Sequence, residues 1–362
     1  MNPIPFPDHT FLNGLPECPN GDGLLSLRRQ VALQGVQHET ALWRVESGEA
    51  QMVQIIYSSI RKLDAPVGGV IVQGEHVAVL CGAGFDAKIA STFEGGRPDW
   101  INPDAPIVNG KEHPIRPGDV LVMHDSMPRH IFDRFLSMPI KRVFFCQNHY
   151  FLDGTLKPRE RLCDFPIDAF LCVSEPIAEH LRTVHGIADP VIIRPAVRPA
   201  PKIQGPKKLQ VCYMPRKRTV EFGSVMYNLW FQYPELRETV FASIHQMHPD
   251  QVAQRMAESS VFLSLSAHEG LGLPPLEAMA AGCLIVGYHG GGGLDYATAR
   301  NGLWYDEATP DNLTHLLADT LERLRAEPDC FAALTEAGRE TAARYSQSAM
   351  ETRLLEFWSS FL

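Results

Sequence analysis

The chain has 362 residues, with 42 acidic against 33 basic side chains, a formal charge of −9, and 45% hydrophobic and 21% charged content. That length predicts two domains with a core each, and the composition excludes wholesale disorder. An acidic balance with no basic tail excludes sequence-independent nucleic-acid binding, although Lys and Arg gather at 207–208 and 216–218.

The opening, MNPIPFPDHTFLNG, lacks a basic stretch followed by an apolar run, so no signal peptide is expected. No apolar stretch approaches the roughly 20 residues that span a bilayer. A cytoplasmic protein without a transmembrane segment is therefore expected, with peripheral contact at the inner face of the cell membrane left open. Residues 1–23 supply no convincing first strand; Gly21 and Gly23 precede a helical pattern over 24–43.

Beyond that, short apolar runs alternate with helical lengths. The predicted strands are 53–58, 76–81, 119–124, 142–147, 169–174, 190–195, 209–214, 261–266 and 283–288. Several are continuously apolar, as strands buried on both faces of a parallel sheet are. After the run at 76–81, Gly82-x-Gly84-x-x-Ala87 resembles a dinucleotide-binding turn, but Gly95, Gly96 and Pro98 would cut the following helix short. No acidic residue closes a second strand about 20 residues on, so a tight strand-to-helix turn is the preferred reading over NAD binding. Segment 101–119 reads as irregular chain or a hairpin, with turns at Asn109-Gly110 and Pro117-Gly118. Residues 175–186 read as a helix with acidic residues early and Gly186 late. Five prolines between 190 and 206 mark a stiff linker. The expected division is 1–200, 206–345 and a terminal amphipathic helix over 346–362. The eight cysteines form no CxxC pair, and several lie in apolar runs, so buried reduced thiols are expected and a zinc site is not.

The chemistry concentrates in VFLSLSAHEGLGLPPLEAMAAGCLIVGYHGGGG, residues 261–293, which reads as strand, glycine loop, helix, strand. Gly270 and Gly272 allow a tight turn and close approach of a ligand. Pro274 and Pro275 suit a first helical turn, whose free amides and partial positive charge favour a diphosphate. Seven residues separate Glu269, at a strand end, from Glu277, in the first helical turn. Carboxylates beside a phosphate site make sense when they accept hydrogen bonds from sugar and ribose hydroxyls.

This segment resembles the retaining glycosyltransferases of family four (glycosyl transferases group 1). Their GT-B architecture is two Rossmann-like parallel-sheet α/β domains facing each other across a cleft. Weaker similarity covers AFLCVSEP, IIRPAV, QVCYMPRKR and ARYSQSAMETRLLEFW. The resemblance implies transfer of a sugar from a nucleotide-diphosphate sugar to a saccharide or lipid-linked glycan, with no bound metal or cofactor. It implies an N-terminal acceptor domain, a C-terminal donor domain and a terminal helix packing back on the first. Glu277 would hold the ribose and Glu269 the donor sugar, with Gly270, Leu271, Gly272 and Leu273 around them. Arg216 and Lys217, with Arg218 as a third candidate, would neutralise the leaving diphosphate, and which of the three points inward is open. His149 would stand near the reacting centre. His124, Asp125 and Asn148 are candidates for the acceptor side. Gly291 and Gly292, in the run Gly290–Gly293 after His289, would wrap the diphosphate or sugar, the run being too flexible to serve packing. Residues 244–248 would read the base and 267–273 the sugar. The Gly21/Gly23 loop would sit over the phosphates, though Asp22 between them repels phosphate. The alternatives are a sugar-nucleotide binder without turnover, or an epimerase or phosphorylase with the same donor site.

Overall fold

The computed structural model describes residues 52–59, 66–92, 97–305 and 310–362. The Gly21/Gly23 loop and the helical pattern at 24–43 lie outside these residues. Two wholly parallel sheets organise the chain. The first has seven strands: β1 (Gln54–Ser59), β2 (Asp86–Ser91), β3 (Ile107–Asn109), β4 (Val120–His124), β5 (Lys141–Cys146), β6 (Ala169–Cys172) and β7 (Val191–Ile192). Their order is β3-β2-β1-β4-β5-β6-β7. Every residue of β1 and β4 is buried, and so is all of β5 but Lys141, because helices cover both faces. The covering helices include α1 (Gly68–Gly82), α2 (Arg129–Leu136) and α3 (Glu175–Thr183).

Two expectations fail here. The run at 76–81 is the second half of α1, not a strand. Val70, Gln73, Val77 and Leu80 are buried at the helical period, but Val72, Gly74 and His76 are buried too and Ile71 and Val79 are apolar, which hides it. The glycine pattern therefore ends a helix and leads into β2: Gly84 takes φ +88° and Ala87 already lies in the strand. No helix follows it to receive a dinucleotide. For 101–119 the hairpin alternative fails and the irregular chain holds but for one short strand: β3 pairs parallel with β2, Ile89 opposite Ile107.

The segment 193–207, with neither helix nor strand, leads to the second sheet: β8 (Lys208–Tyr213), β9 (Val240–Ser243), β10 (Ser259–Glu269), β11 (Leu284–Gly291) and β12 (Leu303–Tyr305). Their order is β12-β11-β10-β8-β9. Between them run α4 (Thr219–Gln232), α5 (Pro249–Glu258) and α6 (Leu273–Ala280), followed by α7 (Pro310–Ala326) and α8 (Ala332–Ala343). Val211, Leu263, Val286 and Leu317 belong to one core under this sheet. The last helix, α9 (Gln347–Phe361), crosses back and packs on α1, burying Trp358 against Tyr57 of β1. The seven described cysteines are free thiols, four of them buried. Among the described residues no helix is long and apolar enough to cross a membrane.

Candidate active site

The second sheet reverses its winding between β8 and β10, and ligands of open α/β sheets bind outside the carboxyl ends of strands at such a point. Tyr213 of β8 lies opposite Leu263 of β10, which brings the turn 214–218 beside the end of β10. The basic loop and Glu269 meet there. Lys217 Nζ lies 2.6 Å from Glu269 Oε1 and donates to the Ala267 carbonyl at 2.8 Å. Arg218 donates to the Ser266 carbonyl at 3.1 Å, pairs with Glu221 at 2.6 Å and lies 4.0 Å above the Tyr288 ring. Arg216 is exposed and has no polar partner among the described residues. The three basic residues thus divide: one on Glu269, one fastened to the strand end, one free towards solvent.

Gly272 precedes α6 at φ +84°, its carbonyl accepting from the buried Tyr296 hydroxyl at 2.7 Å. Leu271 is buried and Leu273 half-buried. Glu277 follows one turn into α6, half-buried and without a hydrogen bond or ion pair among the described residues. Burial pushes its carboxyl up, against the field of Arg198 in the connecting segment. A carboxylate withdrawn from water with no partner is ready for a ligand hydroxyl.

The glycine run contradicts the expectation that flexibility excludes packing. A Cβ on Gly292 would lie 2.6 Å from the Glu269 carbonyl oxygen, and one on Gly290 would lie 2.7 Å from Ser266 Cβ. These residues are glycine because the chain there lies directly on the backbone of 266–270. Gly292 and Gly293 are buried; Gly291 is half-buried, at φ +83°, its amide donating to His289 Nδ1 at 3.1 Å. In the stretch 244–248, Ile244 is buried and His248 caps α5, accepting from the Asp250 amide at 3.3 Å.

On the first sheet, Asp125 follows β4 and is buried; its carboxylate accepts from the amides of Gln147 and Asn148. That contact fixes the turn after β5. Asn148 caps that turn through the Tyr150 amide at 3.1 Å and donates from Nδ2 to the His268 carbonyl at 2.8 Å. It thereby ties the two sheets together. His268 takes φ +52° to present that carbonyl. His124 is buried at the end of β4, with Ser126 on its Nδ1 at 3.2 Å. His149 opens the turn, half-buried, its ring 4.1 Å from that of Tyr150. Burial, with the imidazoles of His180 and His185, holds it down at about 4.

Several residues of the junction carried no signal in their spacing. Ser174 caps α3 and donates to the Gly270 carbonyl at 2.6 Å. Asp295 accepts from Arg194 at 2.7 and 3.0 Å, from the Glu175 amide at 2.7 Å and from the Tyr345 hydroxyl at 2.7 Å. Against its own burial, those donors pull its carboxyl below the ordinary range. The segment Val173–Pro176 stood out only by resemblance; the fold shows Ser174 both as a cap and on the Gly270 carbonyl. Among the described residues, no three or more His, Cys, Asp or Glu are grouped to hold a metal ion.

Residues 228–337 match the sequence model of the family described as "Glycosyl transferases group 1". An alpha-1,6-glucosyltransferase of Actinobacillus pleuropneumoniae serotype 7 (strain AP76) is 24% identical over 234 residues, 62% of this chain and 69% of its own. A glycosyltransferase structure from Rickettsia africae ESF-5 superposes with a TM-score of 0.63 at 14% identity, over 86% of this chain and 99% of its own. Sucrose-phosphate synthase from Thermosynechococcus elongatus gives 0.63 at 13% identity, over 85% and 98%. The two parallel-sheet α/β units form a GT-B architecture. Family match, relative and architecture together support a glycosyltransferase.

Proposed function

We propose that the chain is a retaining glycosyltransferase that moves a hexosyl group from a nucleotide-diphosphate sugar to a saccharide or lipid-linked glycan. The observation that carries this reading is Glu277, half-buried and unpartnered one turn into α6, across a glycine turn from the Lys217–Glu269 pair. In this reading Glu277 accepts from the ribose hydroxyls and Glu269 from a hydroxyl of the donor sugar. Lys217 and Arg216 face the diphosphate, and the amides ahead of α6 add partial positive charge. Breaking the glycosidic C–O bond builds negative charge on the departing diphosphate. Fixed cations aimed at that charge stabilise the transition state more than the ground state, which is the condition for catalysis. Such cations let the reaction proceed without a metal. His149 lies on the opposite side of the junction, beside the incoming acceptor. The name of the Actinobacillus relative supports a glucosyl donor and an α-linked product. Same-face attack, guided by the departing phosphate, accounts for retention.

Thermal-shift titration of the wild type and Glu277→Gln with UDP, GDP, ADP, dTDP and NAD tests the donor site. Binding to the native state raises the midpoint in proportion to occupancy. The expected result is a shift with one diphosphate, lost in the variant, followed by transfer from the matching sugar nucleotide. A response to NAD alone sinks the reading. A sugar nucleotide that stabilises the fold but is never transferred or hydrolysed leaves a binder in place of an enzyme.

A further inference from the structure

Apart from the Lys217–Glu269 pair, three histidines crowd one another on the side of the first sheet. His149 opens the turn after β5, His180 lies in the last turn of α3, and His185 follows that helix. The rings of His149 and His180 are 4.5 Å apart and inclined at 33°, and His180 meets His185 edge-on at 5.2 Å. His185 is buried and anchored, its Nδ1 facing the Leu162 amide at 3.4 Å. Tyr150 lies against His149 and touches His268 of β10 at 4.9 Å. The Nδ1 atom of His149 is buried with no hydrogen-bond partner.

An imidazolium requires an acceptor or water at both nitrogens. The titratable groups facing His149 are His180 from α3, His185 from the turn beyond it, Tyr150 on its own turn, and His268 through Tyr150. None is a carboxylate. Asp125, at the neighbouring strand end, is taken up by the Gln147 and Asn148 amides. A proton placed on the buried nitrogen of His149 would thus meet no carboxylate and no hydrogen-bond partner among the described residues.

We propose that His180 is a positioning residue for sugar transfer: in ring contact with both His149 and His185, it fixes the His149 ring and shuts out the water that would solvate its protonated form. The proposal rests on the reading of His149 as a group beside the acceptor. Its consequence is a neutral imidazole across the physiological range, with one nitrogen to donate and one to accept. Such a ring keeps a lone pair to accept a hydrogen bond from the acceptor hydroxyl at a pH where an ordinary histidine is already partly charged and has lost it.

Nuclear magnetic resonance of ring-labelled histidines tests this without any donor or acceptor, His149 being assigned by loss of its signal in His149→Gln. The variants are His180→Phe, which keeps an aromatic ring in the stack, and His180→Ala, which opens it to water. In the wild type and His180→Phe, His149 is expected to titrate below pH 5. In His180→Ala its midpoint is expected to rise by about one pH unit or more as hydration returns. Transfer by His180→Ala should then show an acid limb near pH 6 that His180→Phe lacks. A wild-type His149 midpoint near 6.5, or the same midpoint in all three proteins, overturns the proposal. If His180→Ala does not fold, a rise in His180→Phe overturns it and an unchanged low midpoint there supports it. Absence of transfer from every sugar nucleotide would defeat the functional reading instead, and the titrations would still decide the role of His180.

Discussion

A Cβ added at Gly270 would sit 1.8 Å from the Gln147 carbonyl oxygen, with backbone, not a flexible side chain, on the far side. Neither segment can give way cheaply, because Asp125 holds 147–148 and Ser174 holds the Gly270 carbonyl. Gly270→Ala is therefore expected to lose about 3 kcal/mol, the upper end for overpacking, read as a lowered urea midpoint at unchanged slope. Gly223, inside α4 with nothing within 4 Å of the added Cβ, is the control. Its change to Ala should raise stability by roughly 0.5–1 kcal/mol through helix propensity. His76 carries the clearest pH effect. It is fully buried under β1, stacked on Phe145, and burial pushes it down to about 3 from an ordinary 6.5. The folded state thus binds the proton less readily than the unfolded chain. The stability this contributes is complete above pH 6.5 and is lost as pH falls towards 3, at up to about 1.4 kcal/mol per pH unit. His149 and His185, each held at about 4, act in the same direction. Denaturation across pH 4–7 should show this acid limb, shallower by one proton in His76→Phe.

Elements were legible from the chain where their pattern had contrast. The strands β4 and β5 read correctly because unbroken apolar runs end at polar turn residues, and β10 because its apolar run gives way to buried serines before the turn. Helix α3 read correctly because an acidic residue opens it and Gly186 follows it. Helix α1 failed because it is apolar all round, and its β-branched residues imitate a strand once burial removes the polar face. The glycines at 290 and 292 were visible, but their reason was not, since it lies in the strand end at 266–270, earlier in the chain. Glu269 and Glu277 stood out by their spacing, whereas Asp295, Arg194 and Ser174 have partners about 100 residues away that no local pattern encodes. At this scale α9 offers a test. Trp358 is fully buried, with its ring 6.5 Å from that of Tyr57. Trp358→Ala should cost about 4 kcal/mol, measured by denaturant unfolding, and the loss should register in probes of α1.

For the whole molecule, Asp295 gathers four bonds from three separate stretches: Arg194 of the connecting segment, the amide that opens α3, and Tyr345 before α9. Its side chain is wholly buried while that of Arg194 is 42% exposed, so the ion pair itself is partly screened. The greater loss on substitution comes from leaving three sets of donors facing an amide. Asp295→Asn is expected to cost about 2 kcal/mol and to speed amide exchange over 174–182 and 292–297 together, with the core strands β4 and β10 unaffected. Exchange confined to 292–297 would show that the node does not join the two sheets.

The return of α9 onto α1 also sets a timetable for biosynthesis. Tyr57 and Trp358 are separated by roughly 300 residues, an interval of tens of seconds at ribosomal speed. Throughout that time the nascent first sheet lacks the indole that seals its face, whereas the second sheet has every strand it needs as soon as residue 305 is made. The half made first is thus finished last. Chaperone binding and premature aggregation should therefore concentrate on the exposed flank of α1, and stalled chains ending before 347 should be the species that chaperones retain.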